Sequence, residues 1–256
     1  MRVRLYTATL LALALSGAAF AADEPIVEHG EIAGAPFRID IPADWNGGLL
    51  LYAHGYTAVS DKPMFNTNVV KSGHELGYAV AQSKYSRQGW AAREGILDTE
   101  ALRRYFVDKY GETYPTVITG HSQGGAITYA MIEQYPEVYD GALPMCSAGP
   151  SAIQFFKERT FDMRLLFDYY FPGLPGSVVE FPDGTKTQAN VAKKAKELID
   201  ADPERAKYFA DLVNLSSPAM IPGVIAFWSE ILREMIERTG GNAFDNTDTI
   251  YSGSDD

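Results

Sequence analysis

Gly120-His121-Ser122-Gln123-Gly124 places a serine between two glycines at a spacing that serves nucleophilic chemistry. It follows the short β-branched run Thr116-Val117-Ile118-Thr119 and precedes a segment that reads as a helix over 123–134. Strand, sharp turn and helix together form the context in which a serine hydroxyl is lifted clear of a sheet. The glycines two before and two after Ser122 let strand and helix approach closely, at a strained backbone angle for the serine itself. The N–H of Gln123 then points toward the oxygen of a bound carbonyl, at the positive end of the new helix. That is the chemistry of acyl transfer. A serine needs a base, and the base must come from elsewhere in the chain.

The elements that would position this turn are legible around it. Segments 26–32 and 36–41 read as two strands joined at Gly34, and 49–53 (Leu-Leu-Leu-Tyr-Ala) as a strand buried on both faces. It runs into His54-Gly55-Tyr56. A helix is expected over 63–75 with Pro63 in its first turn, a strand over 78–83, and a polar loop over 85–90. A long helix over 91–110 carries Leu102, Tyr105 and Phe106 on one face and stops at Gly111. A strand over 142–146 follows. Cys146, the single cysteine, ends an apolar run and reads as a small buried hydrophobe. Strands alternating with helices after an opening hairpin imply an α/β fold, a mostly parallel sheet with helices on both faces. Reacting groups in such sheets gather at the carboxyl ends of the strands, which is where His54-Gly55-Tyr56, the 86–90 loop and Ser122 fall.

Past Pro150 the texture becomes helical. Segment 155–170 is aromatic-rich, Pro182-Asp183-Gly184 is a turn, and 187–199 is a polar helix. Asp202-Pro203 starts another helix. Ile221, Val224, Ile225, Trp228, Leu232 and Met235 form one apolar stripe on a helix ended by Gly240-Gly241. Residues 151–240 therefore read as a helical insert over the carboxyl edge of the sheet.

Composition narrows the partners. The 256 residues are 46% hydrophobic and 21% charged, with a net charge of −11. That disfavours nucleic acid and supplies no basic patch for an anionic membrane. Arg2 and Arg4, the apolar stretch 5–15 and Ala19-Phe20-Ala21 have the order of a secretory signal cleaved after Ala21, which implies a secreted or periplasmic protein with no transmembrane anchor once it is removed. No histidine pair or carboxylate cluster stands at metal-ligand spacing, no dinucleotide fingerprint is present, and no cofactor is expected.

Two motifs carry a family resemblance that spans 22–256. The turn around Ser122 is one. The other is Leu50-Leu51-Tyr52-Ala53-His54-Gly55-Tyr56, which matches a His-Gly-x loop after the third strand. On these the chain resembles the α/β-hydrolase superfamily, as a secreted bacterial serine hydrolase with a helical cap after the sixth strand. The resemblance implies Ser122 as nucleophile, and the backbone N–H groups of Tyr56 and Gln123 as oxyanion hole. Gly120, His121 and Gly124 would belong to the elbow, and His54 and Gly55 to the oxyanion loop. It implies a core over 22–150, a cap over 151–240 and a return segment over 241–256. Arg87 and Trp90 lie at the expected active face, as substrate contacts or as plain loop residues. The superfamily places its acid and histidine after the serine. His29, His54, His74 and His121 all precede it. His121 is expected to point away from the serine hydroxyl, His54 to brace the loop and His74 to be solvated. The expectation is a chain truncated before its last core strands, with 142–146 as an open edge unless the insert covers it. The implied substrate is a small ester or amide cleaved through an acyl-enzyme. The alternative is a non-catalytic relative that binds a ligand in the same pocket.

Overall fold

The computed structural model describes residues 24–59, 63–147, 152–181, 188–242, 244–248 and 250. The leader expected at 1–21 and the turn at 182–184 lie outside these residues.

The chain opens with a hairpin of β1 (Ile26–Ile32) and β2 (Ala35–Ile41), Ile26 opposite Ile41. Ala33 and Gly34 both take positive φ, 50° and 86°, the pattern of a two-residue turn that matches strand twist. Then come β3 (Leu49–Ala53), β4 (Ala79–Ser83), β5 (Thr116–His121) and β6 (Gly141–Met145). The sheet order is β1-β2-β4-β3-β5-β6. β2 pairs β4 antiparallel, and the pairs from β4 to β6 are parallel.

Helices cover both faces because the central strands are apolar on both. α2 (Ala92–Tyr110) and α3 (Gln123–Gln134) pack Leu102, Phe106, Ile127 and Met131 against Leu49, Leu51, Ala53 and Ile118. α1 (Thr67–Glu75) lies on the other face, where a Cβ on Gly73 would stand 2.3 Å from Val80 and 3.4 Å from Leu50. This sheet order, with its parallel centre flanked by helices, is that of the α/β-hydrolase fold.

Several expectations are corrected. The helix expected from Pro63 begins at Thr67, because Asn66 is its cap: the Asn66 side chain accepts from the N–H groups of Asn68 and Val69 at 3.1 and 3.2 Å. The N–H of Asn66 in turn donates to Gln82 at 2.8 Å, fixing the helix start to β4. His74 is half-buried rather than solvated, with Nε2 inside. Cys146 is exposed, not buried. It follows β6 at φ 46°, and β6 is the outer strand of the sheet, with Leu143 60% exposed. Among the described residues no strand pairs with the outer edge of β6, and the helical segment does not cover it.

That segment has its own interior. α4 (Ala152–Phe156), a π-helical turn (Lys157–Asp162) and α5 (Met163–Tyr170) follow one another directly. α6 (Gln188–Asp200), α7 (Pro203–Leu212) and α8 (Ile221–Thr239) complete it. Phe167, Phe171, Val191, Phe209, Ile221 and Ile225 form a buried cluster separate from the sheet core. Asp202 caps α7 by accepting from Arg205 N–H at 3.0 Å, and Gly240 ends α8 at φ 73°.

Candidate active site

β5 delivers the chain into Ser122 at φ 55°, ψ −120°, and α3 begins at the next residue. This is the geometry of the first central position of a type II′ turn, where glycine is the usual residue. Backbone contacts on three sides hold it. Ser122 N–H donates to Met145 O at 2.9 Å. A Cβ on Gly120 would lie 2.4 Å from Gly124 O, and one on Gly124 would lie 2.0 Å from Ala53 O. Strand β3, strand β5 and helix α3 therefore meet with no side chain between them. The Gln123 side chain is buried. With its amide oxygen turned to the start of α2, the orientation that satisfies both ends of the amide, it accepts from Ala91 and Ala92 N–H at 2.5 and 3.1 Å. Ala91 offers no cap of its own, so the elbow residue caps a helix from a distance.

The loop after β3 is held by side chains. The His54 ring stacks on Tyr85, with centroids 3.9 Å apart, and His54 Nδ1–H donates to Gly55 O at 2.7 Å. Tyr85 is buried, and its hydroxyl donates to His54 O at 3.1 Å. Burial lowers the His54 pKa below its usual value, against the opposing pull of backbone hydrogen bonds to Gly55 and Lys84, so the imidazole is neutral at pH 7. Tyr56 donates its hydroxyl to Glu234 on α8 at 2.8 Å. Burial, then that hydrogen bond and the negative charge of Glu234, push the Tyr56 pKa far above the phenol range. The loop after β4 joins this arrangement. Gly89 N–H donates to Thr57 O at 2.8 Å, and Trp90 N–H donates to the other oxygen of Glu234 at 2.8 Å.

His54, Gly55, Tyr56 and His121 line one cleft of about 300 Å³, together with Tyr52 and Phe65. Trp90 packs edge-on against Phe156, 4.2 Å between centroids, where the 86–90 loop meets the helical segment. Arg87 is exposed. Among the described residues, which include all four histidines, no imidazole is hydrogen-bonded to Ser122. His121 Nδ1 shares a hydrogen bond with the Tyr52 hydroxyl at 3.0 Å, His54 binds Gly55, His29 faces Phe65 at 5.7 Å and His74 lies on α1. Three contributors escaped the reading of the sequence: Glu234, Tyr85 and the Gln123 side chain. None of the three left a signal there: Glu234 lies off the apolar stripe of its helix and is buried all the same. The described residues hold no group of three or more metal-ligating side chains, and no helix long and apolar enough to cross a membrane.

Sheet order, elbow and loop placement make this an α/β-hydrolase-fold protein. Its residues 32–222 match the model of the tannase-like family of unknown function DUF6351, and the chain belongs to that family. No curated protein sequence matches it. It is similar to the solved structure of acetyl xylan esterase from Aspergillus awamori, at 18% identity and TM-score 0.37, over 46% of this chain and 50% of that one. It is also similar to oligopeptidase B from Trypanosoma brucei, at 17% identity and TM-score 0.37, over 47% and 20%. The esterase Pf2001 of Pyrococcus furiosus aligns at 15% identity and TM-score 0.43, over 53% and 56%. The chain thus spans between 20% and 56% of the length of these three structures.

Proposed function

We propose that this protein is a serine hydrolase that cleaves a carboxylic ester or amide of a small molecule. Ser122 Oγ attacks the carbonyl carbon, and the N–H groups of Gln123 and Tyr56 hold the oxyanion. The leaving group departs with a proton, and water then releases the acid from the acyl-enzyme. The tannase-like description of the family favours an ester. Residues 151–240 act as a cap over the site, and 1–21 as an export leader. The observation that carries the proposal is the φ of 55° at Ser122 between two glycines seated on backbone. A binding protein has no need of a serine at a strained position, which costs on the order of 1–3 kcal/mol. That none of the four imidazoles is hydrogen-bonded to Ser122 favours one rival, a ligand-binding relative without turnover.

Acylation by p-nitrophenyl acetate, read by mass spectrometry, separates the two. The expected result is slow acetylation at Ser122 alone, lost in Ser122→Ala. Turnover should lie about 10⁴–10⁶-fold below that of a complete serine hydrolase, since no histidine here reaches the nucleophile. Acetylation elsewhere, or the same rate in Ser122→Ala, overturns the nucleophile. Full turnover would require a base among the residues of this chain.

A further inference from the structure

A single carboxylate ties the helical segment to both loops beside Ser122. Glu234 on α8 is 4% exposed. Its Oε2 accepts from the Tyr56 hydroxyl at 2.8 Å. Its Oε1 accepts from Trp90 N–H at 2.8 Å and from the Arg238 guanidinium at 3.1 Å. Arg238 also donates to the carbonyl of Trp90. A buried carboxylate is costly unless its oxygens are hydrogen-bonded, and here two of the three donors come from the loops after β3 and β4. The fit is close: a Cβ on Gly89, at φ 80°, would stand 2.2 Å from Oε1. The Gly89–Thr57 hydrogen bond joins the two loops to each other. The Tyr56 ring is further held edge-on by Phe227 of the same helix, 5.8 Å between centroids.

We propose that Glu234 is a positioning residue: acting through the Tyr56 side chain, it sets the Tyr56 backbone N–H at the oxyanion site and couples the cap helix to that donor. This rests on the reading of Ser122 as nucleophile and Tyr56 N–H as oxyanion donor. An oxyanion donor acts over a narrow range of distance, so a loop displaced by about 1 Å loses rate while substrate binding is kept.

The variants follow from the hydrogen bonds. In Glu234→Gln the amide oxygen still accepts from Trp90 N–H, and the amide N–H donates to the Tyr56 oxygen, which reverses its role. Glu234→Ala loses both contacts. Tyr56→Phe keeps the backbone N–H and loses only the anchor. For Ser122 acetylation by p-nitrophenyl acetate, Glu234→Ala and Tyr56→Phe should each lower the maximal rate about tenfold with the half-saturating concentration unchanged. Glu234→Gln should stay within about threefold of wild type, and the double variant Tyr56→Phe/Glu234→Ala should be no slower than either single change. Rescue by glutamine and an unchanged half-saturation distinguish positioning from a purely structural tether. Losses that add in the double variant, or a wild-type rate in Tyr56→Phe, overturn the proposal. Hydrogen exchange reads the same tether without catalysis. The amides of Tyr56 and Trp90 should exchange faster in Glu234→Ala while β5 and α3 keep their protection. Unchanged exchange there overturns the tether even if Ser122 is acetylated. Faster exchange with no acetylation of wild-type Ser122 overturns the nucleophile and leaves the tether standing. Should Glu234→Ala fail to fold, Tyr56→Phe and Glu234→Gln carry both measurements.

Discussion

Ser122 is held by main-chain atoms of β3, β5 and β6, close packed through Gly120 and Gly124, whereas Tyr56 is held by a carboxylate 178 residues away in sequence. The first support passes through no side chain and cannot shift without moving the sheet. The second passes through two side chains and a helix outside the sheet. One half of the candidate site is thus as rigid as the core, and the other takes its geometry from the helical segment. The elbow can keep its shape while the loop after β3 changes, and the two halves should respond differently to the same perturbation.

The hardest blow to the elbow is Gly124→Ala. The added Cβ meets Ala53 O at 2.0 Å and the Ala53 carbonyl carbon at 2.7 Å. Both belong to the backbone of β3, paired on both sides by β4 and β5, so nothing flexible can yield. We expect a loss of at least about 3 kcal/mol in denaturant unfolding, the upper range for overpacking. A loss below about 1 kcal/mol would show that the elbow is no stiffer than the loop beside it.

Acid should act on the other half first. The buried His54 imidazole titrates below its ordinary 6.5 in the folded chain. The unfolded chain therefore binds a proton that the native one resists. Stability is full above pH 6.5 and falls as pH drops below it, by at most about 1.4 kcal/mol per pH unit. Glu28 and Glu100 act lower. Burial alone would raise their pKa values. Hydrogen bonds from Lys109, Tyr105 and Tyr110 to Glu28, and from Arg103 and Arg104 to Glu100, outweigh it and hold both below 4.5. Their contribution is lost only as pH falls below that value. Just below pH 6.5 the slope belongs to His54, because Asp168, which burial raises above 3.8, acts in the opposite sense, and His54→Asn should flatten the slope in urea midpoints measured downward from pH 6.5. An unchanged slope would remove His54 as the cause.

The same contrast explains what could be read in advance. The range of β1 follows from the turn at Gly34, and those of β3 and α3 from an apolar run and the glycine spacing around Ser122, because those signals are local and backbone-driven. The start of α1 did not, since the helix-start preference of Pro63 competes with a cap at Asn66 that is itself anchored by Gln82 on another strand. Cys146 ends an apolar run and reads as buried, yet burial at a strand's end depends on the strand's neighbours, and β6 has one among the described residues. Glu234 belongs to an apolar helix in sequence and to the loops of β3 and β4 in space. Nothing within a helical turn of it announces a tyrosine hydroxyl so far up the chain.

The smallest expected effect bears on the elbow's own strain. At φ 55°, ψ −120° the Ser122 Cβ is crowded by its own backbone, at a cost of about 1–3 kcal/mol. Glycine takes this conformation freely but enters the folded state with about 0.5–1 kcal/mol more chain entropy to lose. Ser122→Gly keeps the N–H bonded to Met145 O and removes only the side chain. The net effect should be a gain of about 1 kcal/mol in unfolding free energy, with acetylation abolished. A stabilised, unreactive Ser122→Gly would mean that the elbow keeps its serine at the expense of stability, which chemistry explains and packing does not. A destabilised one would mean that the Ser122 side chain contributes to the fold, and the main argument against a non-catalytic binding protein would be gone.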